Sequence, residues 1–401
     1  MSTETTAVEF DPFSRDFFDD PYDTYTALRD HAPCYYSKQY DFYALSRFDD
    51  VVAGHRDFVT FSSSHGQTYE QLTAEDPPMF NSIISMDPPE HTRYRKLVSR
   101  AFTPRSIDNY EALVREIIGD YLDPLVGRRR FDILEEFAAP FPIEIISTIL
   151  GVPPEDRQQI RHWADAMLHR EEGSATGGEA AAEAGMAQGM YLYQLTQRKR
   201  AEPADDMLTA LIEAEVETDD GERTRLDDME IAGFGTLLSA AGSETVTKLV
   251  GNAMVLFHRH PDQWAKVLDD PGILANAVEE VLRFWAPSQY QGRYSMVDSV
   301  WHGVTIPKHK PVFFITGAAN RDPRRYDDPD RFDITRDPGL AVGLGHGLHA
   351  CLGAALARLE SRVAIEEIAR RWPDYRVEES GLRRVQMSNV AGYSSVPITV
   401  P

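Results

Sequence analysis

Cys351 is one of two cysteines in the chain. It stands in Gly343-Leu-Gly-His-Gly-Leu-His-Ala-Cys351-Leu-Gly-Ala-Ala-Leu-Ala-Arg358. The glycines predict a sharply folded loop that delivers the cysteine to the first turn of a helix. Free backbone N–H groups and the helix dipole favour sulfur as thiolate there. A lone thiolate held this way suits either a nucleophile, with His346 and His349 nearby, or an axial ligand to haem iron.

A second group with chemical potential lies inside a helix. The pattern predicts a helix from near Asp227-Asp-Met-Glu230 to just before His260-Pro261, spanning about 48 Å at 1.5 Å per residue. Its middle, Phe234 to Thr247, is apolar on most sides and so is expected to be buried. Yet it carries Ala241-Gly-Ser-Glu-Thr245. A mid-helix glycine costs about 1 kcal/mol against alanine, and a buried carboxylate costs several unless satisfied. Sequences break local rules of this kind at functional sites. Ala241 and Gly242 would open a groove onto the backbone, where Glu244 and Thr245 can pass protons. The competing reading is a close helix crossing at Gly242 with a self-satisfied Thr245.

Two further clusters carry charge. Glu280-Val-Leu-Arg283 is an i,i+3 ion pair on a helix. His91-Thr-Arg-Tyr-Arg95, after Asp87-Pro-Pro, puts His91 and Arg95 on one helix face. Residues 91–105 hold Arg93, Arg95, Lys96, Arg100 and Arg105 with no acidic residue, in a chain whose net charge is −23. That local reversal reads as anion recognition inside, a docking surface outside, or both.

The elements that must position these groups are mostly helices. Amphipathic helical patterns run from about 90 to 285 and again from 351 to 371. Strand-like stretches fall at about 30–60, 289–316 and 375–401, with Val300 to Pro307 as a hairpin, Pro311 to Thr316 as a buried strand and Val385 to Val400 as a closing hairpin. Ala318 to Asp333 is a long irregular stretch, of the kind that is usually functional. Residues 60–86 and 171–189 look like mobile loops and are candidate lids. The 401 residues suggest two or three domains, but no linker separates them. No apolar run reaches the length of a membrane span, and the start lacks the features of a signal peptide. The two distant cysteines do not make a disulfide scaffold, so a cytoplasmic protein is expected. The acidic balance argues against nucleic-acid binding.

Together these stretches resemble the cytochrome P-450 family, the haem-thiolate monooxygenases. The matching parts occur in the right order: Ala241 to Thr245, the Glu280/Arg283 pair, Asn320-Arg-Asp-Pro323 followed by Phe332-Asp-Ile-Thr-Arg336, and the cysteine loop. His91-Thr-Arg-Tyr-Arg95 fits the soluble bacterial branch. The resemblance covers nearly the whole chain and implies one domain over residues 1–401, mainly α with small β-sheets (α+β), a triangular prism of helices around a buried haem.

The resemblance also implies roles. Cys351 is the expected axial ligand of haem b iron, in a loop with Leu344, Gly345 and Gly353. His91, Arg95, Arg293 and His349 are expected to meet the haem propionates. Ala241, Gly242, Glu244 and Thr245 would form the oxygen pocket and proton relay, and Glu280 with Arg283 would lock the meander structurally. Leu344 replaces the aromatic ring usual at that position, a change expected to tune the metal site rather than abolish it. The implied reaction is insertion of one atom of O2 into a small to medium apolar substrate, by hydroxylation or epoxidation. Electrons would come from NAD(P)H through a ferredoxin reductase and a ferredoxin, docking on a face formed by the 91–105 run with Arg324, Arg325, Arg358 and Arg362. The alternatives within haem chemistry are a peroxide-using enzyme and a non-enzymatic haem binder. A cysteine hydrolase or thiol oxidoreductase would leave the Ala241–Thr245 helix and the Glu280/Arg283 pair unexplained, and a zinc site would have only one cysteine near these histidines.

Overall fold

A computed structural model describes residues 8–75, 82–99, 107, 109–217, 223–337 and 339–401. Arg100 and Arg105 of the basic run, and Met79 and Phe80 of the first candidate lid, lie outside the described residues.

The longest helix organises the rest. In chain order the helices used below are α1 (Tyr22–His31), α2 (Phe48–Arg56), α3 (Tyr69–Thr73) and α4 (Glu90–Val98). They continue with α5 (Glu111–Leu122), α6 (Pro140–Leu150), α7 (Arg157–Leu168) and α8 (Gly178–Ala201). The last four are α9 (Met207–Glu213), α10 (Asp228–Arg259), α11 (Leu274–Phe284) and α12 (Ala354–Arg371).

Helix α10 starts in a capping box, in which Asp227 and Glu230 each accept the other's backbone N–H. It packs against α6, α7, α8, α11 and α12. Its apolar side chains, from Ile231 to Phe257, form the spine of the largest core cluster together with Ile146, Leu192, Val281 and Val363. An element surrounded in this way has few polar positions to spare, so those it keeps are informative.

The β structure sits to one side. Strands β1 (Cys34–Ser37), β2 (Phe42–Leu45) and β3 (Phe61–Ser62) join β5 (Gln291–Ser295) and β8 (Pro311–Phe314) in a five-stranded sheet, while β4 (Arg130–Asp132) belongs to another sheet. The order of the larger sheet is β1-β2-β8-β5-β3, with only the β2–β8 pair parallel. Between β5 and β8, strands β6 (Ser299–Trp301) and β7 (Val304–Ile306) form the expected hairpin, turning at His302 and Gly303 with φ of 51° and 80°.

Three sequence expectations are corrected. Residues 48–56, inside the region read as strand-like, form α2. Most of the loop expected at 171–189 is helix, because α8 starts at Gly178; its alanine and glutamate content favours helix rather than loop. The tail does not close on itself as a simple hairpin. Tyr393–Ser395 pairs with Arg383–Arg384, and Pro397–Thr399 pairs with both Arg376–Val377 and β4.

Candidate active site

The cysteine loop is held by backbone contacts that leave no room for side chains. The Cys351 N–H donates to the Leu344 carbonyl at 2.8 Å, and the Gly345 N–H to Val342 at 2.9 Å. Gly345 and Gly347 have φ of 72° and 68°. A Cβ on Gly347 would stand 2.4 Å from the His55 carbonyl oxygen, so glycine is required there both for conformation and for space. Cys351 lies just before α12, whose first residue is Ala354, rather than within its first turn. The Gly353 N–H donates to the sulfur. Cys351 is exposed, yet enough protein surrounds it that burial pushes its thiol up, against the Gly353 N–H, Arg358 and Arg95. The sulfur is thus accessible and yet largely surrounded by protein. A bound metal would deprotonate it outright.

Behind the loop stands a buried clamp. Arg283 donates to both oxygens of Glu280 at 2.7 and 2.8 Å, and to the carbonyls of Asn320, Pro329 and Arg331. Asn320 in turn accepts the Val342 N–H at 2.9 Å. A continuous chain of contacts thus runs from α11 through the meander to the start of the cysteine loop.

Ala241 is exposed and Gly242 and Thr245 are half-buried, although they lie in the middle of the most enclosed helix. That side of α10 therefore borders an internal space. A Cβ on Gly242 would meet Ile146 at an ordinary 3.5 Å, whereas at Gly251, one of the helix's true close crossings, Leu134 stands 2.4 Å away. Helix packing does not dictate the glycine at 242. Thr245 donates from Oγ1 to the Ala241 carbonyl at 2.7 Å. Glu244 points elsewhere, about 100° further round the helix. It is 5 % exposed, with Lys248 Nζ 2.8 Å from its Oε2, and its charge, after burial, raises the acid of Asp165 on α7.

Five basic side chains converge near the cysteine loop. Arg95 donates to the Leu348 and Ala350 carbonyls at 3.0 and 2.7 Å. Arg293, on β5, is 3 % exposed and donates to the neighbouring Gly292 carbonyl; burial lowers it to about 10. The rings of His91 and His349 lie 4.4 Å apart. Burial, then Arg293, His91 and Arg95, pushes His349 down to about 2. His55, on α2, adds a fifth group, depressed by burial and then by Arg293. Both ring nitrogens of His55 and His91, and Nε2 of His349, are buried without a hydrogen-bond partner. Sequence reasoning brought four of these residues together but missed His55, which sits in an ordinary amphipathic helix with nothing in its spacing to mark it.

The sequence profile described as Cytochrome P450 matches residues 272–373. The chain is 40% identical over 392 residues to the putative cytochrome P450 123 of Mycobacterium tuberculosis strain H37Rv, covering 97% of this chain and 96% of that one. It is 37% identical over 409 residues to the vitamin D(3) 25-hydroxylase of Pseudonocardia autotrophica, covering 100% and 99%. The fold matches CYP109E1 of Bacillus megaterium, solved in complex with corticosterone, with a TM-score of 0.84 and 28% identity over 96% of this chain and 100% of that one. The chain belongs to the cytochrome P450 family. The mainly helical architecture with small sheets is the P450 fold, and members are monooxygenases that bind haem b through a cysteine thiolate.

The residues of this P450 fit such a group. Buried cationic and imidazole groups lack an anionic partner among the described residues, and two propionate carboxylates would satisfy them. The accessible sulfur of Cys351 and the exposed Ala241 suit a flat ligand between α10 and the loop. An ion pair and a hydrogen bond link α3, in the first expected lid, to the connection before α8. Arg170, buried in the 169–177 connection, pairs with Glu70 of α3, and the Gly177 N–H donates to the other Glu70 oxygen at 2.8 Å. The backbones of Ser288 and Val390 form an isolated antiparallel bridge. The Tyr290 ring stacks on Phe313 in the second core cluster. Among the described residues, no helix is long and apolar enough to cross a membrane.

Proposed function

We propose that this P450 hydroxylates or epoxidises a rigid or elongated apolar molecule, using Cys351 as the iron ligand and Thr245 with Glu244 as the proton relay. Haem b, when bound, supplies the redox centre at which O2 is activated and one oxygen atom is delivered to carbon. The residues of the chain do the rest. His91, Arg95, Arg293 and His349, with His55, hold the propionates. The Gly353 N–H tempers the charge on sulfur, and Leu344 shields it while lacking a ring. Ala241 and Gly242 leave space above the iron. The Thr245 hydroxyl, free to turn from the Ala241 carbonyl, donates a hydrogen bond into that space, and Glu244 supplies the proton behind it.

The observation that carries this reading is the accessible Cys351 sulfur beside Arg95 and Arg293, which hydrogen-bond backbone carbonyls, and beside the ring nitrogens of His55, His91 and His349 that are buried without a hydrogen-bond partner. An apolar substrate is supported by the apolar stretch Phe234–Leu238 and by relatives whose names point to vitamin D(3) and corticosterone. Electrons reach the iron from a ferredoxin docking on the cysteine side of the molecule. Lys96 supports that surface, being exposed and in no ion pair among the described residues. Arg324, Arg358 and Arg362 already pair with Asp30, Glu279 and Glu111, so they offer a balanced rim more than free charge.

The test is the absorption spectrum of the reduced protein under carbon monoxide, followed by turnover with NAD(P)H, ferredoxin and reductase. The expected result is the strongly red-shifted Soret band of a haem-thiolate, lost in Cys351→Ser. Retention of the band in that variant refutes the ligand assignment. Product formed with peroxide but never with the electron-transfer chain would favour the peroxide-using reading.

A further inference from the structure

From Glu280 to Arg293 every residue is buried except Ser288 and Gln291. The sheet shows which space these two border. Gln291 of β5 stands opposite Phe314 of β8, and Arg293 opposite Val312. Side chains alternate along a strand and directly opposed residues share a face, so Gln291, Arg293 and Phe314 lie on the same side of the sheet. His55 packs on Phe314 on that side, with ring centroids 5.0 Å apart. The other side is closed by Phe313 stacked on Tyr290. Gln291 therefore opens on the side of Arg293 and His55, the groups assigned to the haem propionates, and Ser288 is one hydrogen bond away from it.

The Ser288 hydroxyl has only its proton left to offer. Gln291 Nε2 donates to its Oγ at 2.9 Å and Asn389 Nδ2 at 3.2 Å, which fills both lone pairs of a hydroxyl oxygen. The other contacts of the two amides fix which way they face. Asn389 Nδ2 also donates to the Tyr290 carbonyl at 2.7 Å, as only the nitrogen can. Gln291 Oε1 accepts the Thr316 hydroxyl. Thr316 is 0 % exposed and has no other acceptor among the described residues, so turning the Gln291 amide round would strand a buried O–H. The backbone is held as well: the Gln289 N–H donates to the Asn389 carbonyl at 2.9 Å and the Ala391 N–H to the Pro287 carbonyl at 2.8 Å. The Ser288 O–H finds no acceptor among the described residues. It is a donor aimed before any ligand arrives.

We propose that Ser288 donates a hydrogen bond to a carbonyl oxygen of the substrate, so that the molecule this P450 oxidises is an apolar skeleton bearing a carbonyl group rather than a plain hydrocarbon. The proposal rests on the haem-thiolate reading above and narrows its substrate. A hydrocarbon lying against Ser288 would cut its O–H off from water and put nothing in its place, and an unmatched donor costs more than a made bond gains. A carbonyl oxygen is a strong acceptor and replaces the water. A protonated amine would bring donors to a site that already presents one. Because the O–H direction is fixed by two amides, the bond also anchors one end of the molecule. The carbon that then faces Ala241 and Gly242 is selected by its distance from the carbonyl.

The experiment is a spin-shift titration of the haem-loaded protein with ketones and hydrocarbons of matched skeleton: cyclododecanone with cyclododecane, and progesterone with pregnane. The wild type should bind a ketone about tenfold more tightly than its hydrocarbon. Ser288→Ala should weaken the ketones about fivefold and leave the hydrocarbons as tight as before or tighter, so the preference largely disappears. Ser288→Thr keeps the hydroxyl and should keep the preference. No ketone preference in the wild type on either skeleton, or an undiminished preference in Ser288→Ala, overturns the proposal. An equal loss for ketone and hydrocarbon in Ser288→Ala also overturns it, because that is what loosening of the 287–291 segment alone would do. The carbon monoxide band should be the same in all three proteins. Its absence from the wild type would sink the haem-thiolate reading, whereas a missing ketone preference beneath an intact band sinks only the role of Ser288.

Discussion

Arg283→Met isolates what the clamp behind the cysteine loop contributes. Arg283 is 1 % exposed, and methionine keeps the length and apolar stem while removing all five guanidinium donors. Glu280 is left as a buried carboxylate without its partner, which costs about 3–5 kcal/mol. It retains the Asp333 N–H at 2.9 Å and Arg336 at 3.5 Å, so the lower end applies. The carbonyls of Asn320, Pro329 and Arg331 lose their donor, adding about 1 kcal/mol each where water cannot reach them. The total is about 6 kcal/mol. With about 2.1 cal/mol/K per residue, 401 residues give an unfolding entropy of about 0.8 kcal/mol/K. Tm should therefore fall by about 7 °C. Calorimetry of the haem-loaded protein measures this, and the carbon monoxide spectrum measures the site. Since Asn320 links Arg283 to Val342, the fraction showing the thiolate band should fall below the wild-type value well under Tm. Replacing both partners (Glu280→Leu with Arg283→Met) removes the orphaned charge and should recover much of the stability. It does not restore the carbonyl contacts, so the band should stay depressed. An unchanged Tm in Arg283→Met, or a double variant with a wild-type spectrum, refutes the reasoning.

Three other outcomes are expected. Thr245→Ala should keep haem and substrate binding but release peroxide in place of product; tightly coupled turnover would remove Thr245 from the relay. Glu70→Gln weakens the pairing with Arg170 and the contact to Gly177, so stopped-flow spin-shift kinetics should show faster substrate association and dissociation, with little change in Tm. Glu360 is raised well above its usual range by burial alone, and its Oε2 has no partner. A raised acid contributes stability at low pH that is lost as pH rises. Glu360→Gln should therefore be more stable than the wild type at alkaline pH, with the gap closing toward acid pH in parallel thermal melts.

The parts of the site that were legible in the sequence are those where chemistry forces a residue type against local preference. Cys351 among glycines, Gly242 inside a buried helix and Glu280 with Arg283 all cost stability unless something repays them, and each stands out for that reason. Helix α10 was readable to its ends because capping and the His260-Pro261 stop are local signals. His55 was invisible because an imidazole on an amphipathic helix breaks no rule; only the approach of α2 to β5 and the loop brings it near Arg293. Lys248 and Asp165 show the same limit from the other side. A lysine one turn beyond Glu244 reads as an ordinary i,i+4 pair, and an aspartate in α7 reads as surface. Their meaning depends on two helices crossing with both carboxyl groups turned inward. Misreading α8 as a loop had a different cause. Alanine, glycine and glutamate together satisfy both the compositional signature of a loop and the propensity of a helix, and the decision falls to packing against α7 and α10. Thus the cofactor side of the site, built from rule-breaking residues, can be inferred from one dimension. Glu244's neighbours Asp165 and Lys248 are unexceptional along the chain and come to face it only through the tertiary fold.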